Sequence, residues 1–147
     1  MGTLLDYARA VDATMSVALE TIAAQQAIQA TSKYVTHLLD YCHTYPDAKV
    51  FYHANDMILH IHSDASYNSE AKAQSWAWGH LYLGKTTSVQ PTMHNNGAIL
   101  NTSTIMCNVM ASAYEAKCGS LFNNTKEAFA LRTTLHEMGH PQHPTHP

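Results

Sequence analysis

The sequence predicts an α+β chain, with helices first, a sheet in the middle and one long helix last. Three observations carry this. Apolar residues recur at three-and-four spacing through the first forty-odd positions. From Val50 to Leu100 the pattern changes to short apolar and aromatic runs cut by polar and Pro-containing stretches. Ser112-Ala113-Tyr114-Glu115 then matches the S-x-x-E capping box, ahead of a helical pattern that stops at Gly139.

In order, Leu4, Leu5, Tyr7, Ala8 and Val11 make a short apolar helix broken around Asp12. Thr14 starts a second, with Met15, Ala18, Leu19, Ile22 and Ala23 at helical spacing. A third follows Ser32, its stripe formed by Val35, Leu38, Leu39 and Cys42 at i, i+3, i+4 and i+7. Pro46 ends it. Val50-Phe51-Tyr52 is a short strand, His53 to Asp56 a turn, and Met57 to Ser63 a second strand. Residues 65–75 form a loop, Trp76 to Leu83 a third strand, Lys85 to Asn96 a loop, and Gly97 opens a fourth strand. The last helix begins at N-cap Ser112. Cys118, Leu121, Phe122, Ala128, Leu131, Leu135 and Met138 form its expected apolar stripe, and Pro141 lies just beyond its end.

At 147 residues the chain suits one domain with a modest core. The N-terminus lacks a basic region followed by an apolar core, and no run is apolar enough to span a bilayer. Three cysteines, Cys42, Cys107 and Cys118, match no metal or redox spacing. These features together predict an intracellular, cytoplasmic or nuclear, non-secreted chain with reduced thiols and no membrane partner. With eight Lys and Arg and a net charge of −3, strong unaided binding to nucleic acid is not expected.

Eleven histidines stand out. His136-Glu137-Met138-Gly139-His140 fits H-E-x-x-H, in which two histidines one turn apart hold zinc and the Glu is general base. Gly139 and Pro141 break the helix this pattern needs, and a further ligand could come only from His143 or His146. A chance match in a His-rich chain is therefore expected. His60, His62 and Asp64 alternate onto one strand face, opposite Leu59 and Ile61, and are read as a polar face with Asp64 at its end. Glu115 serves as the capping-box Glu. A strand-end Asp, two more strands and a helix beginning with Glu could nevertheless place Asp64 and Glu115 around one divalent metal, as phosphodiester chemistry requires.

T-L-L-D-Y-A-R-A-V-D-A-T-M at 3–15, T-H-L-L-D-Y-C at 36–42, Y-P-D-A at 45–48, L-H-I-H-S-D-A-S-Y at 59–67, G-A-I-L-N-T-S-T-I at 97–105 and A-S-A-Y-E-A at 111–116 carry a resemblance. Nearly the whole chain resembles the end of the pol polyprotein of a copia-like LTR retrotransposon. The resemblance implies a reverse transcriptase connection segment over 1–47 and a truncated RNase H-like domain over 48–147. It implies a mixed sheet with Asp64 on its first strand and Glu115 early in its first long helix. Both would be catalytic and metal-binding, with Mg²⁺ (or Mn²⁺) hydrolysing the RNA of an RNA–DNA hybrid. The partners implied are that hybrid and the remainder of the polyprotein.

The departures from that pattern are specific. Lys117 stands where the family commonly has a second Glu, Gln74 and Trp76 where basic residues are expected, and Trp78 where Gly is expected. No carboxylate follows Glu137. The expectation is a decayed nuclease segment with weak or no activity. Its first strand would present a free edge open to self-association. A zinc metalloprotease through His136, Glu137 and His140, and a non-enzymatic interaction segment, are the alternatives.

Overall fold

The computed structural model describes residues 2–24, 31–86 and 96–143. Most of the expected 85–96 loop (87–95) and His146 lie outside the described residues. The chain is α+β and divides into two compact units, Met1–Val50 and Phe51–Pro147.

The first unit is helical. Helices α1 (Gly2–Ala10), α2 (Ser16–Ala24) and α3 (Thr31–Thr44) gather Ala8, Met15, Leu19, Ile22 and Leu38 into a small core. Asp12 ends the first helical segment as expected, then caps a 3-10 turn over Ala13–Met15. Its carboxylate accepts from the Thr14 amide at 3.1 Å and from the Tyr41 hydroxyl at 3.1 Å, so one buried acid ties the turn to α3. The α3 stripe is narrower than its spacing suggests. Leu38 is buried and Cys42 half-buried, but Val35 and Leu39 are exposed. A unit this small covers only a strip of each helix.

The second unit is an antiparallel sheet, order β1-β2-β3, with α4 on one face. The strands are β1 (Ile58–Ser66), β2 (Ser75–Gly84) and β3 (Ala98–Met106), and α4 runs Ala113–Glu137. Asp64 pairs with Trp78 and Trp78 with Ser103 across the sheet. The expected strand at Val50-Phe51-Tyr52 is absent. Asn96 does the work of a ladder there: its side chain accepts from the His53 amide at 2.8 Å and donates to His53 and Leu83 carbonyls, while Gly97 donates to the Phe51 carbonyl. A buried side-chain amide satisfies the backbone without a strand partner.

Helix α4 starts as the capping box predicts, with Ser112 Oγ accepting from the Glu115 amide at 3.1 Å. Of its expected apolar stripe only Ala128 and Leu135 are buried. Ala116, Ser120, Asn124, Ala128 and Leu135 face the sheet, whereas Cys118, Leu121, Phe122 and Met138 are exposed. The interface is small and polar because one side chain organises it. Asn124, 2% exposed, donates to Ser63 Oγ on β1 and to the Trp78 carbonyl on β2, both at 2.9 Å. It accepts from Thr102 Oγ1 on β3 at 2.6 Å. Ser120 adds a bond to the Asp64 carbonyl at 2.6 Å. Gly79 makes the room, since a Cβ there would collide with the Asn124 and Thr102 side chains.

Strand β1 is an edge. Past the end of α4 the chain returns to it. Gln142 Oε1 accepts from the Leu59 amide at 2.9 Å, and Gln142 Nε2 donates to the Met57 carbonyl at 2.9 Å. One side-chain amide thus engages the two groups that a neighbouring parallel strand would engage opposite Ile58.

Two outcomes follow from these contacts. Asn124→Ala leaves Ser63 Oγ, Thr102 Oγ1 and the Trp78 carbonyl short of partners and costs about 2–4 kcal/mol in urea unfolding. Gln142→Ala removes about 1 kcal/mol of local protection, read as faster hydrogen exchange of the Leu59 amide with little change in global stability.

Candidate functional site

Asp64 lies near the end of β1 on an exposed carboxylate, and the neighbour it meets is Lys117, not Glu115. Lys117 Nζ stands 3.6 Å from Asp64 Oδ1, with both side chains about two-thirds exposed. The reason is register. Ala116 and Ser120 face the sheet, so the side chain next in line after Ala116 extends toward the β1 end. Glu115 turns back instead and accepts from the Ala111 amide, one residue before the N-cap. That satisfies a free N–H ahead of the first turn and places a negative charge at the positive end of the helix dipole. The two carboxylates expected to share a metal are each engaged separately.

The other histidine-bearing patterns also resolve into structural roles. His60 Nε2 lies 3.1 Å from the Lys85 carbonyl and its ring stacks on Tyr82 at 5.3 Å. His62 Nε2 lies 3.3 Å from the Tyr82 hydroxyl. His80 Nδ1 lies 2.9 Å from Asn101 Oδ1, and its ring stacks on Trp78. These side chains form a cross-strand ladder on the sheet face away from α4, as the alternation of β1 dictates. Trp78 opens this ladder on β2. Tyr82 is 1% exposed, and burial raises its hydroxyl above the ordinary tyrosine value of 10.0.

At the C-terminal end, α4 stops at Glu137. Gly139 takes φ +89°, with its amide bonded to the His136 carbonyl and the His140 amide to the Leu135 carbonyl. This is a complete Schellman cap. His136 sits in the last turn and His140 beyond it, so the two-histidine face of a zinc protease is not formed. No three His, Cys, Asp or Glu side chains among the described residues are grouped to hold a metal ion.

Sequence reasoning noted Lys117 only as a departure and missed Ser63, Ser120 and Asn124 altogether. The available signal was the i, i+4 row of small and polar residues from Ala116 to Ala128, which marks close helix–sheet approach. Among the described residues no helix is long and apolar enough to cross a membrane. No protein-family description, curated protein or solved structure matches the chain.

Lys117→Ala shifts stability by less than about 0.5 kcal/mol, because an ion pair this exposed is screened; chemical denaturation with and without salt measures it. Tyr82 gives a pH outcome with a definite sign. Its folded pKa lies above its unfolded one, so its contribution is full below pH 10.0 and is lost as pH rises through the folded value. Phenolate absorbance against pH shows one tyrosine ionising late, and Tyr82→Phe abolishes that component.

Proposed function

We propose that this chain is a reverse transcriptase connection and RNase H-like segment of copia-like retrotransposon descent, in which Lys117 disarms the hybrid-cleaving site. The carrying observation is the Lys117 ammonium 3.6 Å from the Asp64 carboxylate. Three further features support the descent. The second unit is an antiparallel β1-β2-β3 meander followed by a helix packed on β1 and β2. The strand-end Asp lies on the edge strand, and the chain beyond α4 returns to that same edge through Gln142.

The residues present do not fit a pair of divalent metals. Two Mg²⁺ or Mn²⁺ ions bridged on a scissile phosphate need several convergent carboxylates. Here Asp64 has a cation beside it and Glu115 is held by the Ala111 amide. A metal ion approaching Asp64 meets the positive charge of Lys117 beside it and competes with that charge for the carboxylate. Hybrid binding is weak as well, since a chain with eight Lys and Arg and net charge −3 neutralises few phosphates. The reading that remains beside this one is a non-enzymatic interaction segment, favoured by the large apolar residues left exposed along α4.

Incubation of a labelled RNA–DNA hybrid with the chain in Mg²⁺ or Mn²⁺ gives no cleavage, with the wild type indistinguishable from Asp64→Asn. Cleavage that disappears in Asp64→Asn sinks the proposal. Lys117→Glu replaces a repelling ammonium by a second carboxylate. At ~4 Å and surface dielectric that change exceeds about 1.4 kcal/mol toward a divalent cation, so Mn²⁺ binds at least about tenfold tighter in that variant by titration calorimetry.

A further inference from the structure

The polar side of α4 is used against the sheet, and its large apolar side chains are on the outside. Tyr114 is 79% exposed, Leu121 53%, Phe122 64% and Phe129 72%. At 100° per residue these four, with exposed Cys118 and Thr125, fall within about 100° of one another on the helix surface. Lys126 reaches over the Phe122 ring at 5.3 Å and covers part of it, and Phe122 is still 64% exposed. Isolated exposed apolar residues need no explanation, but a continuous stripe over four turns marks a contact surface.

The order of the stripe is symmetric about its middle. From Tyr114 the residues run aromatic, small at i+4 (Cys118), large at i+7 (Leu121). From Phe129 backwards they run aromatic, small at i−4 (Thr125), large at i−7 (Phe122). An isologous contact requires this arrangement: in a two-fold pairing, residue i meets j and j meets i. We infer that α4 pairs with α4 of a second copy of this chain, antiparallel, with the two-fold axis between Leu121 and Phe122. Tyr114 of each copy then covers Phe129 of the other, Cys118 faces Thr125, and Leu121 packs on Phe122.

The area fits. At roughly 200 Å² per aromatic side chain, scaled by the exposed fractions of Tyr114, Phe122 and Phe129, the three rings offer about 400 Å² in each copy. Pairing two copies removes about 800 Å² from rings alone, and Leu121, Cys118 and Thr125 carry the contact toward the ~1,200 Å² at which specific interfaces begin. The small residues at 118 and 125 let the helices approach on either side of the axis. This inference is independent of the nuclease reading and uses a different surface from the β1 edge.

Sedimentation equilibrium of the full chain across the micromolar range gives a dimer. Phe122→Glu with Phe129→Glu weakens it at least about a hundredfold, while circular dichroism stays at wild-type values because both rings are outside the core, and the melting temperature loses its dependence on protein concentration. Orientation has its own test, which does not depend on that variant. In a Cys42→Ser, Cys107→Ser background, Thr125→Cys gives a reducible dimer on mild oxidation and Cys118 alone does not. A monomer throughout the range overturns the inference, as does a dimer that the Phe variants leave intact. Efficient crosslinking through Cys118 alone means parallel helices and overturns the antiparallel pairing.

Discussion

One carboxamide holds the second unit together. Asn124 uses both of its donors and its acceptor on three different strands, through Ser63, the Trp78 carbonyl and Thr102. A buried amide with all partners in place rigidifies; the same amide with one partner missing is costly. Around the amide the geometry leaves room for small side chains only, and Met106 and Leu135 are among the larger side chains buried elsewhere in the unit. Gly79 has no Cβ because the amide stands where the Cβ would go. Ala77, Ala116 and Ser120 line the rest of the contact for the same reason. Hydrophobic burial is therefore modest here, and hydrogen-bond geometry fixes the register.

That register decides the chemistry at the end of β1. With Ala116 and Ser120 turned to the sheet, position 117 is the one that reaches Asp64, and position 115 is left to the helix start. A lysine at 117 then neutralises the strand-end carboxylate from 3.6 Å. The capping role of Glu115 and the charge at Asp64 are consequences of one helical phase, and neither residue can be reassigned without moving Asn124. The same phase sends Tyr114, Phe122 and Phe129 outward. The ion pair at the end of β1 and an apolar outer face of α4 are thus two results of one polar contact.

The strand starts and both ends of α4 were legible in the sequence, whereas β1 runs on to Ser66 past its expected end at Ser63, and the interior of α4 was legible only at Ala128 and Leu135. Ser112 and Gly139 mark their ends by local chemistry, a side-chain oxygen for a free amide and a residue tolerant of positive φ, so neighbouring residues suffice to find them. Strands β1 to β3 follow from alternation and turn residues, and each begins within one residue of its expected start. The stripe through Cys118, Leu121, Phe122 and Met138 failed because it assumed that the largest apolar residues are the buried ones. A helix that approaches a sheet closely inverts that assumption: Ala116, Ser120 and Asn124 go in and Leu121 and Phe122 stay out, while Leu135 farther along is buried as expected. Val50-Phe51-Tyr52 failed differently. Its composition suits a strand, but the Phe51 carbonyl is taken by the Gly97 amide and the adjoining His53 groups by Asn96, more than forty residues away, and no local pattern announces a tertiary partner. The pairing of Asp64 with Glu115 was inferred from order along the chain, which sets proximity of elements but not helical phase.

Edge strands must be managed, and β1 shows how far this chain manages its own. A neighbour on an edge is recruited by free amides and carbonyls that point outward. Gln142 occupies the Leu59 amide and the Met57 carbonyl at one end of the strand. At the other end Asp64 and Lys117 place charge on the strand's flank, which discourages the approach of a flat apolar partner. Between them, Ile61 and Ser63 are half-buried beneath α4's side of the sheet. By the alternation of an antiparallel ladder, the outward-facing backbone groups of this stretch are those of the same odd-numbered residues as Leu59. The two devices differ in kind. Gln142 fills backbone groups at the start of β1, whereas the Lys117–Asp64 pair guards the other end by charge alone, so the first depends on hydrogen-bond geometry and the second on ionic strength.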